Sequence, residues 1–374
     1  MADRLRKSQL VTILTTNNVV SHDIAIIISQ YDHILGEKTI STVRNEELSK
    51  IDQYGRKYKS RRNILPIYRF IVSGTNMYAC TSGTRTQILF NVDLYCMKGP
   101  NWDRFRCAYF EDIIRCIVPL PNGMIVIALH GSIEIWNPTT KKCILSQPLH
   151  MEPIAHLSIL DEDSTDQSEL HQVTPVQYKI ISCSEDSMIK IFDPLTKSIQ
   201  TLVGHKGSVK CTIVVDTSNK SKRIISCSSD KTIILWDRVG ADDQAWLNTF
   251  TLTGHSDIVD NIAMLSNGKL VSSSGDNTIR IWNLETMTED CIFRLHLGPG
   301  RLSYSDNLLI VTPDDEIVIL KNGILQKWNI YDKSNVILNV KKKSDGIARG
   351  IRYIAFSDQV LFGVDVDNNF YFWK

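Results

Sequence analysis

The chain has 374 residues, 43% of them hydrophobic, and a formal net charge of +1. A chain of that length buries one large core or two ordinary ones. Its balanced charge excludes a global electrostatic signature for nucleic acid or an anionic membrane, so any such contact has to come from a local patch. No apolar run approaches the roughly 20 residues of a membrane span. The nine cysteines form no Cys-x-x-Cys pair, and most sit in apolar runs such as IISCSS and IRCIVPL. That usage predicts reduced thiols packed as small hydrophobes, in a cytoplasmic or nuclear protein rather than a secreted one.

In chain order, the start MADRLRKSQLVTILTTNN has a short apolar stretch and no convincing cleavage site, which argues against a secretory leader. VVSHDIAIIISQYDHILGE, residues 19–37, follows it. Ser21 or Asp23 can cap a helix there, Ile24, Ile27, Ile28, Tyr31, Ile34 and Leu35 make an apolar stripe at helical spacing, and Gly36 is a stop. The stripe predicts a helix folded back on its own domain, with an independent partner-binding helix as the alternative. Further on, RKYKSRR, residues 56–62, reads as the solvated face of a strand and otherwise as a nuclear import signal or nucleic-acid contact.

From there the chain repeats itself. Phe90, Trp136, Phe192, Trp236, Trp282, Trp328 and Trp373 each close an apolar run, at intervals of 46, 56, 44, 46, 46 and 45 residues. The one long interval holds a polar insertion, residues 160–177, expected to be a flexible loop. PNGMIVIA (121–128), SNGKLVSS (266–273), TPDDEIVI (312–319) and SDQVLFGV (357–364) fall at matching offsets before their tryptophans. Alternating β-branched runs divided by turn signals make each unit a set of short strands. Units of about 45 residues built this way match a propeller blade.

Two units stand out: GHKGSVK…IISCSSDKTIILWD and GHSDIVD…LVSSSGDNTIRIWN. With their Gly-His, Ser-x-x-x-Asp and Trp-Asp/Asn marks, residues from about 64 to 374 resemble the WD-repeat family. The resemblance implies an all-β, seven-bladed propeller of four-stranded blades over residues 50–374, preceded by an N-terminal helical segment, residues 1–49. It also implies a structural hydrogen-bond tetrad in each well-formed blade: His205, Ser226, Asp230 and Trp236 in the fourth, and His255, Ser272, Asp276 and Trp282 in the fifth. The third has His150, Ser182 and Asp186, with Phe192 in place of the indole donor. His130, Asn322 and Thr84 stand at the aspartate position in blades two, six and one. A trio repeated blade after blade is not a catalytic triad, which needs one activated nucleophile and one oxyanion hole. The last blade, ending at Trp373, is expected to take its outer strand from upstream, from residues 50–59 or alternatively 38–44.

In that fold the loops leading into each first strand share a rim with the turns between second and third strands. By register the rim carries Arg85, Arg115, His130, Lys206, Lys210, Lys231, Arg301, Lys341, Lys342, Lys343 and Arg349, against Glu152, Glu185, Asp257 and Asp260. A mildly basic recognition face for a protein or peptide partner, acidic or phosphorylated, is the expectation. Residues 19–37 also resemble the opening of an F-box, which would make the chain a substrate receptor of a ubiquitin ligase. No phosphate loop, metal motif or cofactor motif is visible. The expected function is a non-catalytic scaffold with neither metal nor cofactor, and with neither membrane nor nucleic acid as its target; a propeller enzyme is the least favoured reading.

Overall fold

The structure, a computed structural model, describes residues 41–43, 67–73, 76–82, 92–98, 101–106, 114–140, 142–162, 177–217, 221–239, 245–295, 308–321, 324–332, 334–337, 351–357, 360–365 and 370–373. All regular structure among them is strand. An isolated β1 (Ser41–Val43) comes first. A first sheet follows from β2 (Ile67–Ser73), β3 (Asn76–Ser82), β4 (Val92–Lys98) and β5 (Asn101–Arg106). The second holds β6 (Cys116–Pro119), β7 (Ile125–Ala128), β8 (Ser132–Asn137) and β9 (Lys142–Pro148). The third holds β10 (Ile154–Glu162), β11 (Gln177–Ser184), β12 (Met188–Phe192) and β13 (Ile199–Val203). The fourth holds β14 (Val209–Asp216), β15 (Lys222–Ser228), β16 (Ile233–Val239) and β17 (Ala245–Leu252). The fifth holds β18 (Val259–Met264), β19 (Leu270–Ser274), β20 (Thr278–Asn283) and β21 (Thr288–Arg294). The sixth holds β22 (Leu308–Val311), β23 (Glu316–Lys321), β24 (Ile324–Asn329) and β25 (Asn335–Ile337). The last strands are β26 (Ile351–Ser357), β27 (Val360–Asp365) and β28 (Phe370–Trp373), and β1 joins them in a seventh sheet, ordered β1-β28-β27-β26. Each of the seven is a four-stranded antiparallel sheet, the first six as meanders of consecutive strands and the seventh completed by β1, the form of a propeller blade.

The chain divides into two compact units, residues 114–299, and residues 1–113 together with 300–374. In the 114–299 unit, burial runs from inner to outer strands. All four residues of β7 (IVIA) and all five of β19 (LVSSS) are buried, whereas β9 and β21 are mostly exposed. The core lies between neighbouring sheets. Val126, Ile133 and Ile135 of the second pack with Leu157, Ile180 and Phe192 of the third, and Ile181 and Ile191 of the third pack with Ile224 and Trp236 of the fourth. Fully burying each such aliphatic side chain contributes about 1.5–3 kcal/mol. In the other unit the same pattern gives β23 its buried Ile317, Val318, Ile319 and Leu320.

Two irregularities recur. In five sheets the first strand carries one residue with no opposite number, at Tyr68, Ala155, Lys210, Asp260 and Arg352. In the second, fourth and fifth sheets the outer strand has an extra residue beside the tryptophan, at Ile144, Thr249 and Asp290. Both are β-bulges, which sharpen the local twist.

Several expectations move. In the first sheet the third strand is β4, starting at Val92, so Phe90 lies ahead of the strand it was expected to close. VDLYCMK carries the alternation that makes the strand, and the aromatic landmark misplaced it. β28 pairs with Ser41–Val43, inside the alternative segment 38–44 and ahead of the boundary expected at residue 50; residues 50–59 lie outside the described residues. The insertion is shorter than the polar run implied, because β10 extends through Glu162 and β11 starts at Gln177, pairing in register up to that point. The helix expected over 19–36 and the basic run 56–62 lie outside the described residues.

Candidate functional site

Turns shape the edge where second strands meet third strands. In the fourth sheet, Ser228, Ser229, Asp230, Lys231 and Thr232 link β15 to β16, with Lys231 in the left-handed region at φ 72°. Ser187 and Asn277 hold the same place in the third and fifth sheets, at φ 69° and 63°. That backbone leaves the aspartate carboxylate pointing back over the strands. Asp230 Oδ2 accepts from His205 Nδ1 at 2.9 Å and from the Lys206 amide at 2.8 Å. Its Oδ1 accepts from the Thr232 amide at 3.0 Å and the Thr232 hydroxyl at 2.6 Å. Asp276 repeats all four contacts with His255, Ser256 and Thr278. Asp186 keeps His150 at 2.8 Å and an amide, that of Met188, but has no threonine hydroxyl there.

Behind the aspartates the chain of contacts continues inward. The Nε2 atoms of His150, His205 and His255 lie 2.9, 2.8 and 2.8 Å from the hydroxyls of Ser182, Ser226 and Ser272. The indoles of Trp236 and Trp282 donate to Ser226 and Ser272, each at 2.8 Å. Phe192 has no such donor, so Ser182 receives no indole hydrogen bond. Burial pushes all three imidazoles below the ordinary histidine range, against the pull of their aspartates. Neutral rings therefore donate from Nδ1 to the carboxylate and accept the serine proton at Nε2. Burial alone would raise the Asp230 and Asp276 carboxyls, but the threonine, histidine and amide donors outweigh it and hold both below the usual carboxylate range.

A second serine, two residues before each aspartate, was not singled out from the sequence. Ser184, Ser228 and Ser274 accept from the amides of Asp186, Asp230 and Asp276, and donate to carbonyls of the loop leading into the first strand, at Pro153, Gly207 and Asp257. The signal was the repeated Ser-x-Ser of SCS, SCS and SSS. Also missed were Glu134 and Gln326. In the second and sixth sheets the place of the tetrad serine is taken by Ile127 and Ile319, and the indoles of Trp136 and Trp328 donate to Glu134 at 2.7 Å and Gln326 at 3.2 Å. Burial pushes the Glu134 carboxyl up, outweighing the hydrogen bonds from Trp136 and Ser146.

Close backbone approaches fix the glycines. A Cβ on Gly131 would lie 2.2 Å from the His150 carbonyl oxygen, because the amides of Leu149 and His150 both donate to the Gly131 carbonyl. A Cβ on Gly204 would lie 2.8 Å from the Trp236 ring, which is why glycine precedes His205.

The structure brings only part of the proposed recognition face together. Arg115, Lys206, Lys210 and Lys231 lie along the edge of the 114–299 unit, with His130 exposed in the turn between β7 and β8. Glu152, Glu185, Asp257 and Asp260 lie on the same edge. Arg115 sits 3.9 Å from Glu185, and Lys231 Nζ donates to the Ser256 carbonyl at 2.9 Å. Among the described residues the edge thus holds four basic residues and four acidic ones. Arg85, Arg301, Lys341, Lys342, Lys343 and Arg349, on which the expected basic excess rests, lie outside the described residues, as do Thr84 and Asn322. No group of three or more metal-ligating side chains suited to an ion occurs among the described residues.

Comparison with known proteins matches the same sheets. A family model, "WD domain, G-beta repeat", matches residues 196–237 and 246–283. Elongator complex protein 2 of Dictyostelium discoideum is 31% identical over 197 residues, 44% of this chain and 22% of that protein. Small ribosomal subunit protein RACK1 of Trypanosoma brucei brucei is 35% identical over 89 residues, 22% of this chain and 28% of that one. Ribosome biogenesis protein WDR12 homolog of Trichoplax adhaerens is 21% identical over 231 residues, 56% of this chain and 50% of that one. The chain thus matches at most half the length of these relatives. Among solved structures, a chain from "Crystal Structure of Mitotic Checkpoint Complex" shares the fold, with a TM-score of 0.61 at 17% identity over 85% of this chain and 94% of that one. Residues 196–237 and 246–283 thus match WD repeats of the G-beta type, each match running from the outer strand of one sheet, β13 or β17, through the first three strands of the next and holding one complete tetrad.

Proposed function

We propose that the chain is a non-catalytic scaffold that holds protein partners along the edge formed by the loops into its first strands and the turns between second and third strands. The observation behind this reading is the internal use of every His-Ser-Asp trio. Ser182, Ser226 and Ser272 are fully buried, and their hydroxyls and the facing imidazoles are spent on one another. A substrate carbonyl has no way to reach those serines, so the trios serve the fold and leave the edge for recognition. Two of the relatives carry assemblies in their names, the Elongator complex and the small ribosomal subunit, which fits a holding role.

The partner surface centres on the fourth sheet, where Lys206, Lys210 and Lys231 gather between acidic neighbours on the third and fifth. Lys206 and Lys231 are exposed and Lys210 is half-buried. An acidic segment, phosphorylated or not, is the fitting ligand for three ammonium groups so placed. The test is affinity purification of the full chain from cell extract, wild type against the Lys210→Glu, Lys231→Glu double variant, with mass spectrometry of what is retained. Loss of a specific set of proteins supports the edge as the contact; an unchanged set removes it. Attachment to a ubiquitin ligase would run through residues 19–37, outside the described residues.

A further inference from the structure

At one register position in the first two strands, the sheets of the 114–299 unit differ in a telling way. The opposed pairs are Cys116 with Ala128, His156 with Cys183, Cys211 with Cys227, and Asn261 with Ser273. Only the fourth sheet places a cysteine on both strands, and no other directly opposed pair among the described residues joins two thiols. Directly opposed residues of an antiparallel pair have Cα atoms about 4.5–5.5 Å apart, inside the span of about 4.4–6.8 Å that a disulfide bridges. Side chains at opposed positions also leave the sheet on the same face. Both thiols are reduced in the structure, with Cys227 fully buried and Cys211 at 4% exposure.

We infer that Cys211 and Cys227 are a paired thiol site that a hydroperoxide converts into a disulfide linking β14 to β15. Cys211 gives up its thiol proton, its sulfur attacks one oxygen of hydrogen peroxide, the O–O bond breaks, and the departing hydroxide takes that proton to leave as water. Cys211 is then a sulfenic acid. The Cys227 sulfur attacks it, the S–O bond breaks, and the hydroxide takes the Cys227 proton to leave a second water. One peroxide is reduced and two thiols are oxidised.

The surroundings assign these roles. The hydrogen bond from Cys227 holds the Cys211 thiol below the ordinary range despite its burial, with His156 adding to the effect, while burial pushes Cys227 up. Cys211, at 4% exposure, is the more accessible of the two, since Cys227 is fully buried. β14 is its terminal strand, and the bulge at Lys210 interrupts the ladder one residue before Cys211. Exposed Cys143 provides the contrast, since burial and the nearby Glu134 push its thiol up.

The experiment treats the native full-length chain with hydrogen peroxide, blocks remaining thiols under denaturing conditions, and digests with trypsin. The expected product joins peptide Cys211–Lys220 to peptide Ile224–Lys231, with the mass of both less two hydrogens. Cys227→Ala, which copies Ala128 of the second sheet, should abolish the crosslink. Circular dichroism matching wild type shows that this variant is folded. Modification confined to Cys143, a crosslink to Cys183, or an unmodified pair at peroxide levels that oxidise Cys143 would each overturn the inference.

Discussion

Trp136 Nε1 donates to Glu134 Oε2 across 2.7 Å, two residues back on the same strand, in the sheet where Ile127 stands at the tetrad serine's place. Trp328 and Gln326 repeat the arrangement opposite Ile319. A buried indole needs an acceptor, and these sheets supply it from within the third strand when the second strand has none. The two solutions are interchangeable in kind but not in charge, because Glu134 can ionise and serine or glutamine cannot.

Replacing Glu134 separates acceptor from charge. Glu134→Gln keeps an acceptor for Trp136 and is expected to be neutral or stabilising at pH 7, whereas Glu134→Ala strands the indole proton at a cost of about 1–3 kcal/mol. Because the folded carboxyl is raised, the native state holds its proton at pH values where the unfolded chain has lost it. Stability therefore falls as pH rises through and above the unfolded glutamate range. Urea titrations at pH 5 and pH 8 should show wild type losing stability relative to Glu134→Gln at the higher pH, the histidine contribution being common to both proteins.

Ser226→Ala should cost more than Ser182→Ala. The first leaves two buried groups unpaired, the Trp236 indole and His205 Nε2, at about 1–3 kcal/mol each; the second leaves only His150, because Phe192 has no donor. Denaturant midpoints for the two variants check the order, and equal losses would refute the serine's double role.

The histidines predict an early step in acid unfolding. His150, His205 and His255 are lowered by burial, so in the mildly acidic range the unfolded chain binds protons that the folded chain refuses. Their contribution is present above the unfolded value of about 6.5 and fades as pH falls below it. Asp230 and Asp276 are lowered too, so a second loss follows below the unfolded aspartate value of about 3.9. Melting temperatures from pH 8 to pH 3 should drop in two stages, and His205→Gln should weaken the first.

Gly131→Ala tests the contact between the second and third sheets. The new methyl meets the His150 carbonyl at 2.2 Å, and the backbone must shift, at a cost of about 1–3 kcal/mol. Gly123→Ala is the contrast, since nothing lies within 4 Å of its Cβ and only its positive φ of 78° opposes the change. A larger fall in thermal midpoint for Gly131→Ala is the expected result.

The sequence showed most of this where each motif residue sits in the strand or turn that its type favours. The turns at PNG, SNG and TPDD fall between first and second strands as their offsets required, and His205, Ser226, Asp230 and Trp236 meet in space across 31 residues of chain. Phe90 misled because an aromatic alone does not fix a strand end; the alternation in VDLYCMK was the better guide. Glu134 and Gln326 escaped notice because a polar residue two before a tryptophan reads as an outward position until the missing serine opposite is noticed. Of the ten basic residues read onto the edge, the described residues hold four, and they stand among all four of the acids read there.

The recurring register shift in the first strands has a further consequence. Tyr68, Ala155, Lys210, Asp260 and Arg352 differ in size and sign, and each stands where the pairing of its strand skips one residue. Because the ladder skips that position, replacing half-buried Lys210 leaves the cross-strand pairing of β14 with β15 intact, and the chemistry of that spot can be rewritten at little structural cost. New binding preferences can arise there while the sheet beneath stays as it is.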